Sequence, residues 1–155
     1  MRRSNREVND EAELVEIIKG CKVCRVGMVD GDKPYVVPMN FGYQMTGSVI
    51  TIFLHCAKEG RKIELLKKNN QVCIELDQMK ELITGEKGCD YSCYFESFIG
   101  EGPAVFIEDN KAKLAAFNSI MKHQTGRDDF SFDQRVVDQT VVIAVELSSY
   151  AGKRH

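Results

Sequence analysis

Between Lys22 and Cys56 the chain reads KVCRVGMV, DGDK, PYVVPMNFGY, QMTGS, VITIFLHC. Three apolar runs are thus joined by connections of four or five residues. Connections that short cannot carry a crossover, so the three runs must pair antiparallel as a meander. Asp30-Gly31 supplies the positive φ that a tight hairpin turn needs. Later runs over 71–77 (QVCIELD), 93–109 (CYFESFIGEGPAVFIED) and 140–150 (TVVIAVELSSY) predict further strands. The 93–109 run is expected to break near Gly100-Glu101-Gly102-Pro103. Pro103 cannot donate to a ladder and belongs at an edge or bulge.

Helices are predicted where apolar residues recur at helical spacing. The first runs from a cap at Asn9 or Asp10 to Gly20, with Glu11 and Glu13 in its first turn and Leu14, Ile17 and Ile18 facing inward. A second covers 59–68 with Ile63, Leu65 and Leu66 toward the core. A third covers 111–123, with Leu114, Phe117, Ile120 and Met121 as its stripe. Residues 78–90 read as a polar loop, 124–139 as polar and turn-rich, and 151–155 (AGKRH) as a basic tail. The sum is a mainly β, antiparallel barrel with helical additions, a single domain over residues 1–155.

Charge and cysteine content narrow the function. A net charge of −2 argues against a dedicated nucleic-acid binder. No apolar run reaches the ~18–20 residues of a membrane span. The opening MRRSNREVNDEAEL has no apolar core after its arginines, so it does not read as a secretory signal, and a cytoplasmic location is the expectation. Of the six cysteines, Cys21 and Cys24 form a C-x-x-C and Cys89 and Cys93 a C-x-x-x-C. The pairs lie too far apart for a compact zinc ribbon, and Cys21 and Cys24 are expected on opposite faces of one strand, so no metal site is assigned.

The segment 55–68 concentrates Lys58, Arg61, Lys62, Lys67 and Lys68 against Glu59 and Glu64. Lys67 and Lys68 fall at a helix C-terminus, where cations belong. Arg61 and Lys62 fall at its N-terminus, where the dipole disfavours them unless an anion is bound. On these residues alone, a phosphate grip and a solvated helix face both stand. His55, ending an apolar strand, is by itself an ordinary rim residue. Pro34 and Pro38 mark their strand as an edge or bulged one, with backbone groups free to meet a ligand. Neither a Walker sequence nor a dinucleotide fingerprint occurs.

Taken together, YVVPMNFGY, then FLHCAKEGRKIELL, then YFESFIGEGPA resemble the flavin-binding split-barrel superfamily typified by pyridoxamine-phosphate oxidase. The likeness runs to its nitroimidazole-resistance (Nim)-like branch, which MRRSNREV and Gly152-Lys153 also resemble. The resemblance implies a six-stranded antiparallel split β-barrel that forms a homodimer, with FMN in grooves between the subunits. It matches Arg61 and Lys62 to the basic pair on the FMN phosphate, and His55 and Ala57 to positions lining the pocket. Val37, Pro38, Met39 and Asn40 match the strand along the isoalloxazine ring, and Glu96 and Ser97 match a segment near the cofactor. His55 is implicated beside the flavin in that branch and is the one catalytic candidate. Cys56 departs from a frequent serine, and Phe98 from a smaller β-branched residue. The implied activity is FMN-dependent reduction of a nitro compound or other small acceptor, without nucleic-acid or membrane partners. The alternative is a non-catalytic flavin- or haem-binding sensor or carrier.

Overall fold

The computed structural model describes residues 4–155; the first three residues of MRRSNREV lie outside the described residues. A short strand, β1 (Glu7–Val8), precedes helix α1 (Glu11–Gly20). Asp10 caps α1 by accepting a hydrogen bond from the Glu13 amide at 3.0 Å, and Leu14, Ile17 and Ile18 are buried. Strands β2 (Val23–Asp30) and β3 (Lys33–Asn40) form a hairpin about Gly31, which takes φ 65°. Strands β4 (Gly42–Thr46) and β5 (Val49–Ala57) form a second hairpin. Then follow α2 (Arg61–Lys68), β6 (Gln71–Ile83) and β7 (Ser92–Ile107). The chain closes with α3 (Asn110–Thr125), α4 (Gln134–Gln139), β8 (Thr140–Glu146) and β9 (Ser149–Arg154).

The described strands number nine, ordered β3-β2-β6-β7-β8-β5-β4, with β9 on β7 and β1 on β9. All pairings are antiparallel. The class is as expected, but six strands was too few. The meander is really two hairpins: the run 34–43 turns at Phe41, so β3 pairs with β2 while β4 pairs with β5. Residues 78–83 are not loop but the continuation of β6, with a bulge between Met79 and Glu81. Nor does the 93–109 run break. β7 is one strand of 16 residues, and Pro103 lies opposite Gln71, the last β6 partner before Ala104 pairs with β8. A ladder donor is least missed at that change of partner. The polar stretch 124–139 contains α4, capped by Asp133.

The inward faces bury Val26, Ile50, Ile52, Leu54, Ile74, Leu76, Phe98, Ile143 and Val145. β3 is an edge, as its prolines required. The basic tail is strand β9, seated under α1. A Cβ on Gly152 would stand 2.3 Å from Leu14 Cδ2 and 3.3 Å from Val8 Cβ, so any larger residue would push the Leu14 side chain out of its place under α1. Among the described residues no helix is long and apolar enough to cross a membrane.

Gly152→Ala is therefore expected to destabilise the fold by about 1–3 kcal/mol through overpacking. Combined with Leu14→Ala, it should cost less than the two single changes added together, because the smaller side chain removes the clash. Urea unfolding of the four chains measures the coupling, and strict additivity would contradict this packing.

Candidate functional site

Helix α2 begins without a side-chain cap: its N-cap is Gly60, and the first-turn bonds run from Ile63 and Glu64 to the Gly60 carbonyl at 2.9 and 3.3 Å. The amides of Arg61 and Lys62 have no acceptor among the described residues. They are two of the donors every helix start leaves over. The two cations beside them are in different states. Arg61 donates from Nε and Nη2 to Asp30 Oδ2 at 3.1 and 2.7 Å, and its guanidinium lies 4.3 Å from the Tyr35 ring centroid. Lys62 is half-buried and forms no ion pair among the described residues; its Nζ lies 3.2 Å from Met39 Sδ.

Lys62 stands where three strands converge. Met39 comes from β3. From β5 come His55, whose pKa is pushed below the ordinary value first by burial and then by the Lys62 charge, and Cys56, whose thiol is raised by burial against the pull of Lys62. From β2 comes Cys24. His55 keeps an exposed edge and rests against Phe117 of α3, ring centroids 5.9 Å apart. Ala57 is exposed at the end of β5. On β3, Val37 and Met39 turn toward the barrel while Pro38 and Asn40 face out. Asn40 Nδ2 donates to the Lys22 carbonyl at 3.2 Å and to Gln124 Oε1 at 3.3 Å, tying the strand end to α3. Lys62 is thus brought to Met39 and His55, while Arg61 reaches the other way along β3, to Asp30 and Tyr35 beside the β2–β3 turn.

Glu96 and Ser97 do not join them. They lie on β7, and β2 and β6 intervene between β7 and β3. Three strand spacings amount to about 14 Å. Glu96 is buried and its carboxylate is fully engaged. Arg154 Nε binds Oε1 at 2.8 Å, while Gln78 Nε2 and Lys80 Nζ meet Oε2 at 2.8 and 2.9 Å. Burial alone would push this carboxyl up; the hydrogen bonds and charges of Lys80 and Arg154 outweigh it and hold the pKa below the ordinary value. Ser97 points to the other, outward face.

Sequence reasoning missed Asp30 and Tyr35, which grip Arg61 from 31 and 26 positions away. Asp30 was visible only as a turn residue. Cys21 and Cys24 do not face opposite sides. Cys21 precedes β2, and both thiols enter the same core, where burial raises them to about 11 and about 12. Protonated thiols are poor metal ligands. Among the described residues no three His, Cys, Asp or Glu side chains are placed to hold a metal. A concavity of about 690 Å³ opens elsewhere, between α1, β4 and the end of α3. Its lysines are all engaged: Lys19 with Glu16 and Lys122 with Asp128, each at 2.8 Å, and Lys22 with the His123 carbonyl.

The family model described as pyridoxamine 5'-phosphate oxidase matches residues 10–154. A candidate 5-nitroimidazole antibiotic resistance protein from Bacteroides thetaiotaomicron is 38% identical, with a TM-score of 0.83 over 96% of this chain and 86% of that one. Flavocytochrome Anf3 from Azotobacter vinelandii is 17% identical, with a TM-score of 0.81 over 100% and 72%. An FAD and heme binding protein from Mycobacterium smegmatis is 12% identical, with a TM-score of 0.81 over 96% and 73%. No curated protein matches the sequence significantly.

The Glu96 cluster makes a pH prediction. A carboxyl held below its ordinary value of 4.5 in the folded chain contributes stability that is complete above that value and is lost as pH falls through the folded value. Thermal melts should therefore show stability declining from about pH 4.5 downward, and Glu96→Gln should flatten that decline while lowering stability at pH 7. An unchanged acid limb in Glu96→Gln would remove the cluster from the account.

Proposed function

Because the chain belongs to the pyridoxamine 5'-phosphate oxidase family, in its nitroimidazole-resistance-like branch, we propose that it is an FMN-binding oxidoreductase acting on a nitro compound or another small acceptor. The observation that carries this reading is Lys62, a half-buried ammonium without a carboxylate partner among the described residues, beside two free amides of an uncapped helix start. Burying a cation without a counter-charge is costly. An anion placed there would neutralise Lys62, satisfy the amides and complement the helix dipole at once. A phosphate does all three, and Arg61 adds a second cation.

On this reading Arg61, Lys62 and the first-turn amides hold the phosphate. The unpaired edge of β3 over Val37, Pro38, Met39 and Asn40 offers backbone groups to the flavin ring, and Ala57 leaves room beside it. FMN, when bound, supplies the electron-transfer chemistry. His55 is the imidazole at the site; kept neutral at pH 7 by its surroundings, it can accept a proton at one ring nitrogen and donate from the other. Ser97, about 14 Å from β3 within one chain, reaches the pocket from a second copy in a homodimer, while Glu96 stays buried behind it and anchors the strand. The exposed Val29, Val36 and Ile99 on the outer sheet face support such a dimer. The structural likeness to a flavocytochrome and to an FAD and heme binding protein favours a second reading, a cofactor-binding module without turnover.

The spectrum of the protein as isolated or reconstituted with FMN decides the first point: a flavin band is expected, and chain that stays colourless with added FMN would refute the reading. Arg61→Ala with Lys62→Ala should weaken FMN binding about a hundredfold or more, from two charge-assisted contacts of about 1.5–3 kcal/mol each, with a far smaller loss of stability. Equal losses would contradict the phosphate role. Rapid reoxidation of reduced flavin by a nitroaromatic favours the enzyme, and inertness to every acceptor favours the module.

A further inference from the structure

The grip of Asp30 and Tyr35 on Arg61 has no evident use in folding. Arg61 is 53% and Asp30 37% exposed along their side chains. Ion pairs that exposed contribute little to stability, because solvent screens them and two side chains must be held still. Yet the geometry is specific. Asp30 Oδ2 takes Nε and Nη2, one edge of the guanidinium, and the Tyr35 ring lies 4.3 Å from its carbon. A guanidinium has five N–H donors in a flat fork. With one edge on Asp30 and one face toward Tyr35, the Nη1–Nη2 edge has no acceptor among the described residues and retains the donors for a bidentate contact.

We propose that Asp30 and Tyr35 are positioning residues that hold Arg61 ready for the flavin phosphate, and so set the preference for phosphorylated over phosphate-free flavin. This rests on the phosphate-site reading of Arg61 and Lys62 given above. A free arginine side chain carries substantial rotamer entropy, which is lost when it clamps an anion. Fixing the fork beforehand on the β2–β3 hairpin removes most of that loss from the binding step. Lys62, already placed by Met39 and the barrel rim, needs no such support. The opposite assignment, in which the Asp30 carboxylate competes with the phosphate for Arg61, is less consistent with the geometry, because Arg61 can keep Asp30 on one edge while the other binds.

The test is titration of full-length, flavin-free protein with FMN and with riboflavin, followed by flavin fluorescence, for wild type, Asp30→Ala, Asp30→Asn and Tyr35→Leu. Asp30→Ala should raise the FMN Kd about tenfold and leave the riboflavin Kd within about twofold. Asp30→Asn, which keeps an acceptor for Arg61, should stay within about threefold of wild type for FMN, and Tyr35→Leu should weaken FMN by about threefold. An unchanged FMN-to-riboflavin ratio in Asp30→Ala overturns the proposal. Tighter FMN binding in both Asp30 variants also overturns it and identifies the carboxylate as a competitor. Wild type that binds FMN no better than riboflavin refutes the phosphate site itself, and the positioning role with it.

Discussion

Among the described strands, β7 alone serves three partners: β6 along one side, and β9 then β8 along the other. Everything else in the barrel is arranged around that handover. Its inward positions shrink from Phe98 to Gly100, Gly102 and Ala104 as β8 closes in, and a Cβ on Gly102 would lie 2.1 Å from the Glu146 carbonyl oxygen. Backbone hydrogen bonds are obligatory in a buried sheet, so a strand changing partners must lose side-chain bulk where the new partner arrives. That handover sends β8 and β5 toward one end of the sheet and leaves β3 as a free edge at the other.

Helix α2 links β5 to β6 across this split, which explains why its first turn matters. A helix joining the two halves must start at the barrel rim, where strand ends rather than strand faces surround it. Met39, His55 and Cys56 are such end residues; Met39 meets the Lys62 ammonium, which is half-buried there, and the charge of Lys62 is felt at both His55 and Cys56. The same crossing carries Arg61 past the β2–β3 turn, within reach of Asp30. Two adjacent cations therefore acquire different environments from one turn of helix: one is placed by an acid and an aromatic ring, the other has no carboxylate partner among the described residues.

The alternation in 22–29, 49–56 and 71–77, and the helical spacing of Leu14, Ile17 and Ile18, made most elements legible because each buries one face of its own. What was not legible depends on remote partners. QMKELI at 78–83 has no apolar alternation, yet it pairs with β7 and brings Lys80 to Glu96. AGKR looks like a tail until α1 and β7 are in place to receive it. At the site, surplus charge at a helix start exposed Arg61 and Lys62, whereas Asp30 and Tyr35 could be found only once the hairpin was folded. His55 has no local signature, and only the family likeness singled it out.

The separation of Glu96 and Ser97 from the other site residues follows from the same alternation. Adjacent residues on a strand point to opposite faces, so the two cannot both serve one ligand through their side chains. Glu96 turns inward and spends its oxygens on Gln78, Lys80 and Arg154, from β6 and β9. That cluster fixes the register of three strands at the point where Ser97 faces out. On the dimer reading, Ser97 and its neighbouring backbone meet the ligand while Glu96 holds the strand that presents them. A cofactor pocket completed by a second copy needs such an internal anchor, because the presenting strand must be rigid before the partner arrives.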